Sequence, residues 1–278
     1  MPKKLAILIT CHNRKEKTLN CLTAVYAQKL PVEVSLTVYL VDDGSTDGTT
    51  HAIQSRFPLV TIIPGAGNLF WCGGMQQAWR QAAVDQPDFY LWLNDDTVLL
   101  ADALATLLSV CSQAEKDPHV PTIVVGSCCD PQTGAHTYGG EKRLGRHPAK
   151  VAPIPPASQP LPCDTFNGNI VLVPQSVFAR VGVMRAFRHA MGDTDYGYLA
   201  TRAGCRNLIA PGYLGTCPTN PASSGWQAVN QSRRLRWRKL LGPKGLPPAD
   251  WWRLLFAHAG WRALYYWPTP YLRVLLGL

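Results

Sequence analysis

The sequence is sparing with charge and with long apolar runs. Asp, Glu, Lys and Arg make up only 16 % of its 278 residues. No stretch of about 18 uncharged apolar residues occurs, so no spanning helix is expected. Lys3-Lys4 followed by the apolar residues 5–10 imitates a secretion signal, but the run is short and ends in Cys-His-Asn-Arg, so none is expected. No C-x-x-C pair exists among the nine cysteines, no Cys/His set has zinc spacing, and their number is odd. Most lie in apolar runs, where Cys acts as a small hydrophobe, and the pattern predicts a reducing compartment without a disulfide framework. There is no internal repeat. An apolar fraction of 46 % excludes a disordered chain.

Acid is scarcest at one end. Residues 1–220 carry 18 basic and 17 acidic residues, whereas residues 221–278 carry nine basic residues and a single acid, Asp250. Six of the nine Trp also fall in 221–278. This divides the chain into a nearly neutral body, 1–220, and a basic aromatic tail, 221–278, with residues 218–225 as the linker.

In the body, apolar runs alternate with helical patterns. Strands are expected at 5–10, 34–41, 60–63, 89–93, 122–127 and 170–173. Helices are expected through Leu19, Leu22, Val25 and Tyr26, over 49–57 and 75–84, after about 101, from 174 to 181 and over 196–203. Residues 128–163, rich in Gly and Pro, read as loops or edge hairpins. Alternating buried strands and helices predict an α/β protein with a mostly parallel central sheet flanked by helices.

Ligands of such sheets bind beyond the carboxyl ends of the strands. Three polar clusters end strands here: the turn after Thr10, Asp42-Asp43-Gly44-Ser45, and Asn94-Asp95-Asp96-Thr97. Each has a plain alternative as a turn or helix cap. Carboxylates at the end of a strand as apolar as FYLWL are costly unless they meet a cation, and hard oxygen donors suit Mg²⁺ or Mn²⁺. A further acidic cluster, Gly192-Asp193-Thr194-Asp195, opens a helix. Its acids either cap that helix or supply a general base. Trp71, beside Cys72-Gly73-Gly74, could stack on a sugar face or serve as core.

Taken together, these pieces resemble the family 2 glycosyltransferases. ILITCHNR, VDDGSTDGT, GNLFWCGGMQQAW, LWLNDDT, FNGNIVLVPQSVFARVG and MGDTDYGYLATRAG occur in that family's order over residues 5 to about 217. The resemblance implies a GT-A type nucleotide-diphospho-sugar transferase fold and an inverting, metal-dependent hexosyltransferase. Thr10, Cys11, Asn13 and Arg14 match the segment lining the nucleotide base, and Asp43 the acid that hydrogen-bonds it. Asn68 matches a nucleotide contact, Asp95 the acid near ribose or donor sugar, Asp96 the metal ligand, and Asp193 the catalytic base. Asp195 lies nearby, and Gly168 and Asn169 would lie between donor and acceptor. Two departures stand out. Gly192 replaces the acid that commonly precedes the base, and Cys217 falls where a metal-binding His is usual, with His189 as a candidate substitute.

The implied partners are a UDP- or dTDP-type sugar donor, with a hexose or deoxyhexose such as rhamnose, galactofuranose or an N-acetylhexosamine, and a glycan or glycolipid acceptor of the cell envelope. In the tail, the basic run 233–239 and a helix over 247–267, with Asp250 as N-cap, mix Trp and Tyr with Arg. That mixture suits a helix lying in the headgroup layer, where each basic residue adds about 1 kcal/mol. The expectation is a cytoplasmic enzyme peripheral on the inner face of the membrane, with packing on the body or a homodimer as the competing use of the tail. No nucleic-acid motif is present. The alternative to an enzyme is a non-catalytic nucleotide-sugar or glycan-binding scaffold, and a nucleotidyl- or phosphotransferase on a related sheet is a third reading.

Overall fold

The computed structural model describes residues 2–114, 120–219, 225–228 and 230–278. Residues 220–224, most of the expected linker, lie outside the described residues. The chain runs β1 (Lys3–Cys11), α1 (Lys15–Tyr26), β2 (Val34–Asp42), α2 (Thr49–Arg56), β3 (Thr61–Pro64), α3 (Phe70–Ala83), β4 (Phe89–Leu93), β5 (Val98–Leu99) and α4 (Ala103–Ala114). It continues through β6 (Thr122–Cys129), the short strands β7 (His136–Tyr138), β8 (Gly140–Arg143), β9 (Val151–Pro153), β10 (Leu161–Pro162) and β11 (Thr165–Phe166), then β12 (Ile170–Pro174), α5 (Gln175–Val181), α6 (Gly192–Arg202) and β13 (Arg206–Thr216). The tail forms α7 (Arg233–Leu241), α8 (Pro248–Ala259), α9 (Ala263–Tyr266) and α10 (Thr269–Leu276).

The main sheet has the order β10-β13-β6-β12-β4-β1-β2-β3. β3, β2, β1 and β4 are parallel, β12 is antiparallel to both its neighbours, and β13 returns parallel to β6. β1, β2 and β4 are buried on both faces over most of their length, which is why they read as continuous apolar runs, whereas β3 lies at the edge. Side chains alternate across the sheet. Leu5, Ile7 and Ile9 of β1 face one core with α1 and α4, and Ala6 and Leu8 face a second with α3, α6 and α8. The second core is aromatic: Trp79 packs against Tyr90, Trp92, Phe178 and Tyr196 with ring centroids 5.2–5.6 Å apart. A small sheet, β11-β8-β9, lies across the 128–163 region and sets its strand β11 against α6.

Several boundaries differ from the sequence expectation. Helix α3 starts at Phe70 rather than 75, so Trp71 and both glycines lie in its first two turns. Helix α6 starts at Gly192 rather than 196. Asp95 and Asp96 cap no helix, because β5 follows them. Asp250 is not the N-cap of α8, which is Pro247; its carboxylate accepts the Arg188 N–H at 2.8 Å instead. The expected helix over 247–267 breaks at Gly260, whose φ of +58° turns the chain out of the helix.

The tail also has one face inside the body. Trp251, Leu254, Leu255 and Ala263 belong to the same core as Trp79 and Tyr196. Leu254→Ala should therefore cost about 2–5 kcal/mol of global stability in a single unfolding transition. Urea unfolding checks this; a loss near zero, or a separate early transition, would mean that the tail is not part of that core.

Candidate active site

The polar clusters at the ends of β1, β2 and β4 meet along one rim, tied together by hydrogen bonds. The first turn is locked to the second: Asn13 N–H donates to Ser45 Oγ at 2.9 Å, and Asn13 Oδ1 accepts from Thr46 N–H at 2.7 Å. His12 Nδ1 donates to the Asp43 carbonyl at 2.6 Å. Thr10 is buried at the end of β1. The Cys11 thiol points into the core, and burial pushes its pKa up, so this residue meets the rim only through its main chain.

Asp43 is buried, and its carboxylate accepts three main-chain N–H groups, from Gly67 at 2.7 Å, Leu69 at 2.9 Å and Phe70 at 3.0 Å. It thus shapes the turn that carries the exposed Asn68 and opens α3. Oδ2 takes two of these bonds and Oδ1 one, which leaves Oδ1 a lone pair for a further donor.

Asp95 and Asp96 are bridged by one guanidinium: Arg14 Nη1 lies 2.9 Å from Asp95 Oδ1 and 2.9 Å from Asp96 Oδ2. Lys17 Nζ stands 3.9 Å from Asp96. Asp95 Oδ2 is buried and has no hydrogen-bond partner among the described residues, and burial pushes the Asp95 pKa up to about 6, against the opposing pull of Arg14. An orphaned carboxylate oxygen at this depth is expensive unless something binds it. Cys217 stands beside the pair, with Sγ 3.7 Å from Asp96 Oδ1. His189 does not: its Nδ1 accepts the Trp71 N–H at 3.4 Å, and burial holds its pKa down at about 4.

The residues present fit a divalent ion, on the strength of that orphaned oxygen. Among the described residues no group of three His, Cys, Asp or Glu side chains surrounds a single point. The protein therefore offers a partial shell of hard oxygens, Asp96 and Asp95 Oδ2, of the kind that phosphates and water complete. The Cys217 thiol is a poor ligand for Mg²⁺.

Asp193 sits at the first turn of α6. Its Oδ2 accepts the Gly168 N–H at 2.9 Å and its Oδ1 the Thr194 N–H at 2.8 Å. Burial pushes its pKa up, while these two bonds pull it down. Gly168 has no room for a side chain, since a Cβ would lie 2.5 Å from the Trp71 ring. On its other side Trp71 donates from Nε1 to Asn94 Oδ1 at 2.7 Å. The indole therefore spans the gap between the acid pair of β4 and the base candidate of α6. Asn169 closes the same wall, with Nδ2 3.3 Å from Thr97 Oγ1 and 3.6 Å from Cys217 Sγ. Gly192 needs no acid-sized space: a Cβ there would come within 2.8 Å of Cys72 Sγ.

Asp195 turns the other way. It is fully buried, paired with Arg185, and 2.7 Å from His258 Nε2 of α8. It does not line the rim.

One acid was not visible in the sequence. Glu141, on β8, accepts from Asn167 Nδ2 at 3.3 Å. Burial, with the nearby Asp193 carboxylate adding to it, pushes its pKa up to about 7. Consecutive residues, Asn167 and Gly168, thus hold the Glu141 and Asp193 carboxyls. The only local signal was Gly139-Gly140 before it. Gly140 lets the strand lie against Ile209, where a Cβ would come within 2.4 Å of that side chain.

Solved structures share this fold. A mannosyltransferase from Pyrobaculum calidifontis, in complex with GDP-Man and Mn²⁺, superposes with a TM-score of 0.57 at 18 % identity, covering 100 % of this chain and 74 % of that one. GalNAc-T7 with UDP, GalNAc and Mn²⁺ gives 0.61 at 14 % identity over 80 % of this chain and 45 % of its own. TarS 1–349 from S. aureus gives 0.56 at 14 % identity over 96 % and 73 %. No curated protein matches the chain. The fold is thus that of the GT-A glycosyltransferases. The family model for glycosyl transferase family 2 matches residues 6–159, more than half of the sequence, and the chain belongs to that family.

Glu141 carries a pH signature. Its folded pKa, about 7, lies above its ordinary 4.5, so the folded state keeps a proton that the unfolded chain has lost. Stability then falls as pH rises from 4.5 to about 7 and is level above. Glu141→Gln should match the wild type near pH ~4 and exceed it by at most about 3 kcal/mol near pH ~8. Urea unfolding at the two pH values decides; equal stability at the higher pH contradicts the assignment.

Proposed function

We propose that the chain transfers a hexosyl or deoxyhexosyl group from a nucleoside diphosphate sugar to an acceptor hydroxyl with inversion, using Asp193 as general base. The observation that carries this reading is the Trp71 bridge. One indole touches Asn94, the neighbour of the acid pair, and Gly168, whose N–H holds Asp193. Diphosphate end and base therefore face one cleft.

In this reading the Thr10–Arg14 turn, Asp43 and Asn68 receive the nucleotide, and Asp95 lies near ribose or sugar. Asp96 with Asp95 Oδ2 would hold Mg²⁺ or Mn²⁺, whose positive charge would neutralise the diphosphate. Arg14 and Lys17, freed from the acids, add positive charge there. The acceptor oxygen attacks the anomeric carbon while the bond to the diphosphate oxygen breaks, and the acceptor proton passes to Asp193. Burial of Asp193 raises its basicity and favours this step. Glu141, beside it, binds a neighbouring hydroxyl of the acceptor. Holding both substrates in one dry cleft supplies the rest of the rate. A lipid-linked or envelope glycan is the acceptor that fits a basic, Trp-rich tail, with the enzyme on the cytoplasmic face of the membrane.

The test is nucleoside diphosphate release across a panel of nucleotide sugars with Mn²⁺ and an envelope glycolipid extract. Asp193→Asn should lower turnover by about 10²–10⁴-fold and leave nucleotide binding unchanged. Donor binding without turnover in the wild type, or an unaffected Asp193→Asn variant, would favour the scaffold reading.

A further inference from the structure

The tail has a second face that the body does not cover. Of the large apolar side chains exposed on the molecule, ten lie between residues 241 and 278. They include Phe256, Trp261, Leu264 and Tyr265 at 61–67 % exposure and Leu275 and Leu276 at 57 % and 66 %. Two of them, Trp252 and Phe256, begin a ribbon of rings that continues through the half-buried Trp267, Tyr271 and Trp237. Phe256 stacks on Trp252 at 5.6 Å, Trp252 meets Trp267 at 6.3 Å, Trp267 meets Tyr271 at 5.3 Å, and Tyr271 stacks on Trp237 of α7 at 6.4 Å. Isolated exposed hydrophobes need no explanation, but a contiguous aromatic and aliphatic face does.

Charge says what covers it. Residues 221–278 contain one acid, Asp250, and it is buried against Arg188 N–H. Arg253, Arg238 and Arg273 are exposed, and Arg262 lies over the Trp261 ring at 4.7 Å. Trp and Tyr rings with Arg beside them, on amphipathic helices, match the interface between headgroups and acyl chains. Among the described residues no helix is long and apolar enough to cross a membrane, so the contact lies in the plane of the surface. The opposite face of α8 carries Trp251, Leu254 and Leu255 into the core and His258 onto Asp195, so the exposed face is fixed relative to α6.

We infer that the exposed face of α8–α10, centred on Trp252, Phe256, Trp261 and Tyr265 and flanked by Arg253, Arg262 and Arg273, docks on an anionic lipid bilayer. This inference deepens the membrane placement proposed above and does not depend on Asp193 being the base. Because α8 and α6 share the His258–Asp195 contact, docking also fixes how the cleft is oriented relative to the membrane.

The full chain is tested by flotation with vesicles of phosphatidylcholine alone or of phosphatidylcholine mixed with phosphatidylglycerol. The wild type should bind the mixed vesicles, bind the neutral ones weakly, and release with rising salt. The variant F256S/W261S/Y265S should bind the mixed vesicles at least about tenfold more weakly while keeping its melting temperature, since these side chains are 61–67 % exposed. R262Q/R273Q should weaken anionic binding selectively. Failure of the wild type to bind, or binding unchanged in the serine variant, overturns the inference. So does a concentration-dependent dimer, abolished by that variant, in a protein that ignores vesicles, since a second copy would then be the occupant.

Discussion

The candidate site depends on a charge that never reaches it. Asp195 is fully buried between Arg185 and His258. Removing one partner from such a buried group typically costs about 3–5 kcal/mol, because an unpaired charge is left in a dry interior. The contact fixes the rotation of α6. Residues two apart on a helix point about 200° away from each other, so holding Asp195 inward presents Asp193 outward, to Gly168 and the cleft. The tail is part of this arrangement, because His258 belongs to α8 and Arg143 of β8 donates to its carbonyl at 2.9 Å. One buried cluster thus joins the helix of the base candidate, the small sheet that carries Glu141, and the aromatic tail.

The second constraint is spacing. Trp71 stands in the first turn of α3, positioned by the three N–H groups that Asp43 collects from the preceding turn. Its ring fills the space above Gly168 and bonds Asn94. The distance between the acid pair and the base candidate is therefore set by a rigid side chain on a well-anchored helix. The acid pair itself is held by Arg14 and Lys17, with one oxygen of Asp95 left without a partner among the described residues. That is a site whose charges balance provisionally and which a phosphate-bound cation would complete.

Much of this was legible in the sequence. The double-sided burial of β1, β2 and β4 makes them continuous apolar runs, and the acids that end them are a local pattern. The starts of α3 and α6 were not, because Gly73-Gly74 and Gly192 are poor helix formers and tertiary packing overrides the propensity. β13 was hidden by Pro211 and Gly212, where its pairing with β6 shifts register. The antiparallel setting of β12 has no sequence signature, since a strand buried on both faces looks alike in either direction. Glu141, Arg185 and His258 were illegible for a different reason: each acts through partners far away in the chain, in segments with no pattern of their own. Cys217 was found by its position alone, and the structure places it beside Asp96.

The most direct test of the account is calorimetric titration of UDP, dTDP and GDP into the wild type and Asp96→Asn, with and without Mn²⁺. If the rim at Asp95 and Asp96 receives a diphosphate and its cation, one nucleotide binds the wild type more tightly with Mn²⁺, and that gain disappears in Asp96→Asn. Absence of binding by all three, or a Mn²⁺ effect that survives Asp96→Asn, would contradict it.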